Sequence, residues 1–100
     1  MARPSRIWRF ELPITDRPRI EMPRGARVLP APPNVRNRDT IEFWSEVDPD
    51  APMEVREFRV VGTGNPMPDD CGPFIGTVIT HVGMFVWHVY EAGVVAPGGS

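Results

Sequence analysis

Glycines and prolines divide this chain of 100 residues into short apolar runs, and this division limits the folds open to it. The chain has 13 prolines and 9 glycines, more than an average globular protein of this length. They lie between the apolar runs instead of forming a repeat. Nowhere does the apolar spacing of a helix persist for ten residues, so we expect no helix longer than about one turn.

Several of the apolar runs alternate with polar residues, as strands with one buried face do, and the last run is almost continuously apolar. Seven such runs follow one another, with turn residues between them. They are Ile7–Leu12, Arg19–Met22, Arg27–Leu29, Thr40–Val47, Val55–Val61, Phe74–Thr80 and Met84–Tyr90. The sequence therefore predicts an all-β fold, a small antiparallel β-sandwich or barrel of about six to seven short strands.

One domain accounts for a chain of this length. We expect a flexible arm at residues 1–6, a single all-β domain at residues 7–91 and a flexible tail of small residues at 92–100. Inside the domain, the segment from Pro30 to Asp39 contains three prolines and two arginines. It predicts an exposed loop without regular structure.

The basic side chains are all arginine, and they are concentrated towards the N-terminus. Residues 1–38 hold nine arginines and three acids, whereas residues 39–100 hold two arginines and ten acids. The formal net charge of −2 gives the whole chain no attraction to nucleic acid. A local anion-binding patch is one interpretation of the basic part, and a solvated face is the other. The arginines of the predicted patch are Arg3, Arg6, Arg9, Arg36 and Arg38.

Three features of the sequence predict a location inside a cell. Cys71 is the single cysteine, so no intrachain disulfide can form and a reducing compartment is expected. No apolar run approaches the roughly 20 residues of a membrane-spanning helix. The first arginines are not followed by the apolar segment of a secretion signal. We therefore expect a cytoplasmic protein that does not interact with membranes.

The segment 62–73 is the candidate binding loop, because long glycine- and proline-rich loops on a rigid scaffold commonly carry binding residues. It opens with a Gly-Thr-Gly sequence after a strand, as phosphate-binding loops do. Here Asn65-Pro66-Met67-Pro68 follows in place of the helix N-terminus that such loops need, so we predict a tight turn. The candidate binding residues of the loop are Gly62, Thr63, Gly64, Asn65, Asp69 and Asp70.

Trp44 and His88 complete the candidate set. Trp44 shares a strand face with Glu42 and Glu46, so it is either an exposed interface residue or part of a strand packed on both sides. His88 lies in the most apolar strand. It is either a hydrogen-bonded structural histidine or one that contacts a ligand.

Reactive chemistry is the alternative for this region. Asp70, Cys71 and His88 contain the groups of a Cys–His nucleophile or a metal site. Zinc needs three or four ligands, and the paired spacings typical of its sites are absent from the sequence. In the competing interpretation Cys71 fills an apolar space, and Asp69 or Asp70 accepts backbone N–H bonds in the turn. We predict no catalytic residue, no metal and no cofactor.

Six segments together carry a resemblance to known sequences, and Val61–Pro66 is the most specific part. They are Ile7–Leu12, Ile20–Pro23, Glu46–Pro49, Phe58–Pro66, Ile75–Thr77 and His88–Glu91. In these segments the chain resembles a family of short uncharacterised proteins carried by bacteriophages and prophages. The resemblance implies a phage gene product that acts inside an infected bacterium, in host takeover or defence evasion. It implies no activity, cofactor or catalytic residue.

The leading functional hypothesis is a non-catalytic binding protein that acts through a host or phage protein or a small anionic ligand. A small metal- or Cys/His-dependent enzyme is the first alternative, and a structural component of a virion is the second. Exposed strand edges would also allow a homodimer.

Overall fold

The computed structural model describes residues 5–29, 34–35, 40–79 and 85–95, with the backbone alone at 34–35. Within these ranges the chain forms eight β-strands and no helix. Accordingly, no helix in the described part of the chain is long and apolar enough to cross a membrane. The strands are β1 (Arg6–Pro13), β2 (Arg19–Pro23), β3 (Arg27–Val28), β4 (Asn34–Val35), β5 (Thr40–Val47), β6 (Met53–Gly62), β7 (Phe74–Ile79) and β8 (Val86–Val94).

The strands form two antiparallel sheets, which confirms the predicted all-β fold and is consistent with a small sandwich. In the first sheet β5 lies at the centre, with β1 on one side and β3 and β4 on the other. In the second sheet the order is β2-β6-β8-β7.

The short strand β4 was not expected. The prediction that Pro30 to Asp39 has no regular structure was wrong at Asn34 and Val35, whose backbone pairs with β5. These two residues follow the prolines, so their own N–H groups remain able to pair. The rest of the predicted loop, residues 30–33 and 36–39, lies outside the described residues.

The core lies between the two sheets and is centred on Phe43 of β5. The Phe43 ring stacks on Phe10 of β1 at 5.7 Å and meets Phe58 of β6, in the opposite sheet, at 5.5 Å. Leu12 and Val89 are fully buried beside them. Along β5, buried and half-buried residues alternate through all eight positions, as its sequence predicts.

The connection from β6 to β7 decides where the candidate loop lies. Both strands run antiparallel to β8, which lies between them, so β6 and β7 are parallel to each other. A connection between parallel strands of one sheet has to cross a face of that sheet. Residues 62–73 make this crossover, and the face they cross is the outer one.

The last two strands pair with each other. This pairing is the hairpin predicted by two apolar runs that are separated by a few residues containing Gly83. The turn between them, at residues 80–84, lies outside the described residues. β8 continues past Glu91 to Val94, and the N–H of Val95 donates to the carbonyl of Val55 at 2.8 Å.

Candidate functional site

Arg59 is a buried charge beneath the crossover loop. Side chains alternate along a strand, so Phe58 and Val60 of β6 face the core and Arg59 faces the outer side. The residue is nevertheless only 2% exposed, because the loop passes over it. A buried guanidinium is stable only when its N–H groups have acceptors.

Every nitrogen of the Arg59 guanidinium has an acceptor. Nε donates to Oδ1 of Asp70 at 3.0 Å, and Nη2 donates to Oδ2 of the same carboxylate. Nη1 donates to the carbonyl of Phe58 at 3.0 Å, and Nη2 lies 2.7 Å from Oε1 of Glu57. Asp70 therefore binds Arg59 with both oxygens, the geometry that a planar guanidinium favours.

The charges around Arg59 form a short network. Nε of Arg19 donates to Oε2 of Glu57 at 2.6 Å. Hydrogen bonds from Arg19 and Arg59 lower the pKa of Glu57. The hydrogen bond from Arg59 lowers the pKa of Asp70, and the positive charge of Arg17 adds to this effect. The bond to Asp70 raises the pKa of Arg59 above its ordinary value. Glu57, Arg59 and Asp70 are therefore all ionised at neutral pH.

Sequence reasoning assigned no role to Arg59 and expected backbone N–H bonds for Asp69 or Asp70. A charged residue that alternates with apolar ones in a strand normally faces solvent. Here the loop crosses the outer face of the sheet and brings the carboxylate of Asp70 to Arg59, so this residue is buried. The signal in the sequence is the pair of acids at 69–70, inside a connection that returns over the strand carrying Arg59.

Both ends of the loop are hydrogen-bonded to β8. At its start, the N–H of Thr63 donates to the carbonyl of Val86 at 3.1 Å. At its end, the N–H of Gly72 donates to the carbonyl of Glu91 at 2.6 Å, and the N–H of Glu91 donates to Pro73 at 2.9 Å. A Cβ at position 72 would lie 2.5 Å from the Glu91 oxygen, so glycine is required for this approach.

The start of the loop is a tight turn. The N–H of Asn65 donates to the carbonyl of Gly62 at 3.0 Å. Gly64 has φ +90°, a conformation that glycine adopts without steric cost. The Gly-Thr-Gly sequence thus reverses the chain at the end of β6.

His88 connects the start of the loop to β7. Its Nε2 lies 2.8 Å from Oγ1 of Thr63, and its Nδ1 lies 3.0 Å from Oγ1 of Thr77. Both ring nitrogens are engaged, so neither is left for the thiol of Cys71. This geometry matches the hydrogen-bonded structural histidine.

Two open clefts lie against the loop, one on either side of Asn65. The first has a volume of about 390 Å³, and its polar lining consists of Asp16, Arg17, Arg59 and Asn65. The second has a volume of about 360 Å³. Its aromatic wall is the stacked pair Phe85 and Trp87, with ring centroids 6.0 Å apart. The lining residues of the second cleft are Gly62, Thr63, Asn65, Phe85, Val86 and Trp87.

Several large apolar side chains are exposed on and beside the loop. Met67 is in the loop itself, and Phe74 follows it at the start of β7. Phe85 and Ile79 lie at the other end of the β7–β8 pair. This region therefore combines apolar side chains with the polar lining of the clefts.

Trp44 is not brought to the loop. It lies in β5 of the first sheet and is half-buried on the face opposite the core, in register with Arg9. The loop covers the second sheet. The structure therefore separates Trp44 from the other candidate binding residues.

The predicted arginine patch is only partly described. Nη1 of Arg9 donates to Oε2 of Glu42 at 3.0 Å, so an acid on the neighbouring strand offsets its charge. Arg6 is exposed at the start of β1. The remaining members of the patch, Arg3, Arg36 and Arg38, lie outside the described residues.

The described ranges contain no group of three or more His, Cys, Asp or Glu side chains arranged to hold a metal ion. Cys71 is a half-buried free thiol in the loop. Asp70, its neighbour, is engaged with Arg59.

Fold and site together define a small two-sheet β protein in which an ion pair fixes a crossover loop. The chain matches, over residues 4–98, the family described as a domain of unknown function, DUF7352, and it belongs to that family. This match confirms the resemblance to an uncharacterised family, and the phage setting goes beyond it. No curated protein and no solved structure matches the chain.

Proposed function

We propose that this chain is a non-catalytic binding protein that recognises a partner protein through one surface. This surface, the loop face, consists of residues 62–73 together with Arg17, Phe85 and Trp87. The phage setting is part of the proposal and rests on the sequence resemblance alone. In that setting the partner is a host or phage protein in the cytoplasm of an infected bacterium, and binding serves host takeover or defence evasion.

The observation that carries the proposal is the fixation of the loop. Its ends are hydrogen-bonded to β8, and the ion pair of Asp70 with Arg59 holds it near its C-terminal end. A segment that is ordered before binding loses less conformational entropy when a partner arrives. This supports recognition, since such a segment presents its side chains in a defined arrangement.

Two observations favour a protein partner over a small anionic ligand. The nitrogens of Arg59 are all occupied, and the remaining arginine of the first cleft, Arg17, lies near the carboxylates of Asp16 and Asp70. The exposed side chains around the loop include methionine and phenylalanine, residue types that are enriched at protein interfaces.

Two methionines provide a matched test. Met67 on the loop face and Met53 at the far end of β6 are each 52% exposed. We expect wild-type protein and the Met53→Ser variant to capture the same proteins from a bacterial lysate, and Met67→Ser to lose them. Both variants should keep the wild-type unfolding midpoint, since neither side chain is buried. Equal capture by all three proteins would refute the loop face as the binding surface.

A further inference from the structure

β1 is an outermost strand of the first sheet. It extends over eight residues, and in the described part of the chain it pairs with a strand on one side only, that of β5. The unpaired edge of a long strand presents a row of N–H and C=O groups to which another strand can pair.

The hydrogen bond from the N–H of Leu29 to the carbonyl of Trp44, at 3.0 Å, fixes the direction of the backbone groups of β1. In an antiparallel sheet the N–H and C=O of one residue point to the same side, and successive residues alternate. The backbone N–H and C=O of Trp44 therefore point towards β3 and away from β1, where Arg9 is its register partner. It follows that the backbone groups of Arg9, and of Ile7 and Glu11, point away from β5.

Charge selects one register for pairing with a second copy of β1. Arg9 can be placed opposite Ile7, Arg9, Glu11 or Pro13, the residues with outward-pointing groups. When Arg9 lies opposite another Arg9, two like charges meet. When Arg9 lies opposite Pro13, Glu11 lies opposite the Glu11 of the second copy. Both arrangements are destabilising. Opposite Ile7 only residues 6–10 of the two strands overlap, whereas residues 7–13 overlap when Arg9 lies opposite Glu11. Opposite Glu11 it meets an opposite charge, and twofold symmetry repeats that pair.

We propose that the chain forms a symmetric dimer in which two β1 strands pair antiparallel, with Arg9 opposite Glu11 of the second copy. Phe10 then lies on the twofold axis and meets its own counterpart, an aromatic cross-strand pair that continues the stack of Phe10 on Phe43. The interface is isologous, so it closes after two copies.

The side chains of β1 are compatible with this register. Arg9 bonds to Glu42 through Nη1, and its guanidinium has further N–H donors for a carboxylate of the second copy. In this register Arg9 of the second copy is added to the contacts that Glu11 has within its own chain. The first sheet thereby continues from one copy into the next.

Charge reversal tests both the dimer and its register. Arg9→Glu alone and Glu11→Arg alone each place like charges opposite each other. We expect each single variant to weaken the dimer about tenfold or more in sedimentation equilibrium. The double variant Arg9→Glu/Glu11→Arg restores opposite charges in this register only, and we expect it to dimerise again.

Arg9→Pro separates pairing from folding. The N–H of Arg9 points outward, so proline removes a backbone bond to the second copy and no backbone bond to β5. It also removes the exposed side-chain bond of Arg9 to Glu42, which contributes little to folding. We expect a monomer with the wild-type circular dichroism spectrum. A wild-type chain that is monomeric at every concentration, or a double variant that stays monomeric like the single ones, would overturn the proposal. The loop face lies on the other sheet, so this result is independent of the Met67→Ser test.

Discussion

Arg59 supplies the charged part of the fixation of the loop, beside the hydrogen bonds of the loop ends to β8. Burying a guanidinium is unfavourable unless carboxylates and hydrogen bonds compensate for its lost hydration. Glu57 supplies one carboxylate from the same strand, and Asp70 supplies the other from the loop. Strand and loop therefore stabilise each other. When the loop detaches, Arg59 loses the Asp70 carboxylate and Asp70 loses the guanidinium.

Asp70→Asn should lower the free energy of unfolding at neutral pH, because an amide offers Arg59 no negative charge. The pKa of Asp70 is lowered in the folded state. Its stabilising contribution is therefore complete above the ordinary pKa of about 3.9 and is lost as the pH falls through the lower folded value. The pKa of Glu57 is shifted in the same direction, so part of the acid sensitivity remains in the variant.

Urea unfolding between neutral pH and about pH 2 measures this contribution. We expect the wild type to lose more stability in acid than Asp70→Asn does, so that their free energies of unfolding, plotted against pH, converge at low pH. A gap between the curves that stays constant down to the lowest pH would contradict the ionic role of Asp70.

Ser45 offers a second test at the scale of a single side chain. It is fully buried between the sheets, and its hydroxyl has no hydrogen-bond partner among the described residues. An unpaired buried polar group costs about 1–3 kcal/mol. Ser45→Ala should therefore raise the free energy of unfolding by about 1 kcal/mol, measured by urea denaturation. A loss of stability in Ser45→Ala would mean that the Ser45 hydroxyl makes a hydrogen bond in the folded protein.

At the scale of the elements, the strands could be predicted from alternation because each has a face in the core. β5 is the clearest example, since buried and half-buried residues alternate along all eight positions, and only Trp44 and Ser45 depart from the matching alternation of apolar and polar residues. The order of the strands could not be predicted, because it depends on contacts between segments far apart in the chain. The sequence predicts that the last two strands pair, but it does not predict that β8 lies between β6 and β7.

Part of the candidate site, too, could be predicted from the sequence. The loop 62–73 follows from its glycines and prolines, and the structure connects it to His88, one of the predicted residues. Its attachment to Arg59 follows from the crossover and was missed. Trp44 was a candidate because it shares a strand face with two acids, and strand order places it on the other sheet, away from the loop.

Gly72→Ala tests the attachment of the loop to β8. The added Cβ would lie 2.5 Å from the Glu91 carbonyl oxygen, a backbone atom that cannot move unless β8 moves. We expect a loss of about 1–3 kcal/mol in the free energy of unfolding. In the control Gly25→Ala, the Cβ meets no atom within 4 Å, so only the strain of its positive φ remains, about 1 kcal/mol. If Gly72→Ala had no larger effect than Gly25→Ala, close packing at Gly72 would be contradicted.

At the scale of the molecule, a small number of buried side chains joins the two sheets. The radius of gyration is 13.9 Å, close to the roughly 13 Å of a compact domain of this length. The aromatic contact between the sheets is that of Phe43 with Phe58. Truncation of the Phe43 side chain should therefore weaken the packing of one sheet on the other.

Phe43→Ala should remove about 3–5 kcal/mol of the free energy of unfolding, a large share of the 5–15 kcal/mol typical of a domain. Phe74→Ala is the matched control, because the same residue type is 56% exposed there. Its effect should be about 1 kcal/mol, from the lost contact with Tyr90. Urea unfolding of both variants measures the difference, and equal losses would place the centre of the core elsewhere.

Amide hydrogen exchange at Gly72 tests most directly whether the ion pair of Arg59 with Asp70 holds the loop against the second sheet. The Gly72 N–H is bonded to Glu91 of β8, so it exchanges slowly only while the end of the loop is in place. We predict slow exchange at Gly72 in the wild type and much faster exchange there in Asp70→Asn, with a smaller increase at Phe43 in β5 that reflects only the fall in global stability. Equal rates at Gly72 in the two proteins would contradict the role assigned to Arg59 and Asp70.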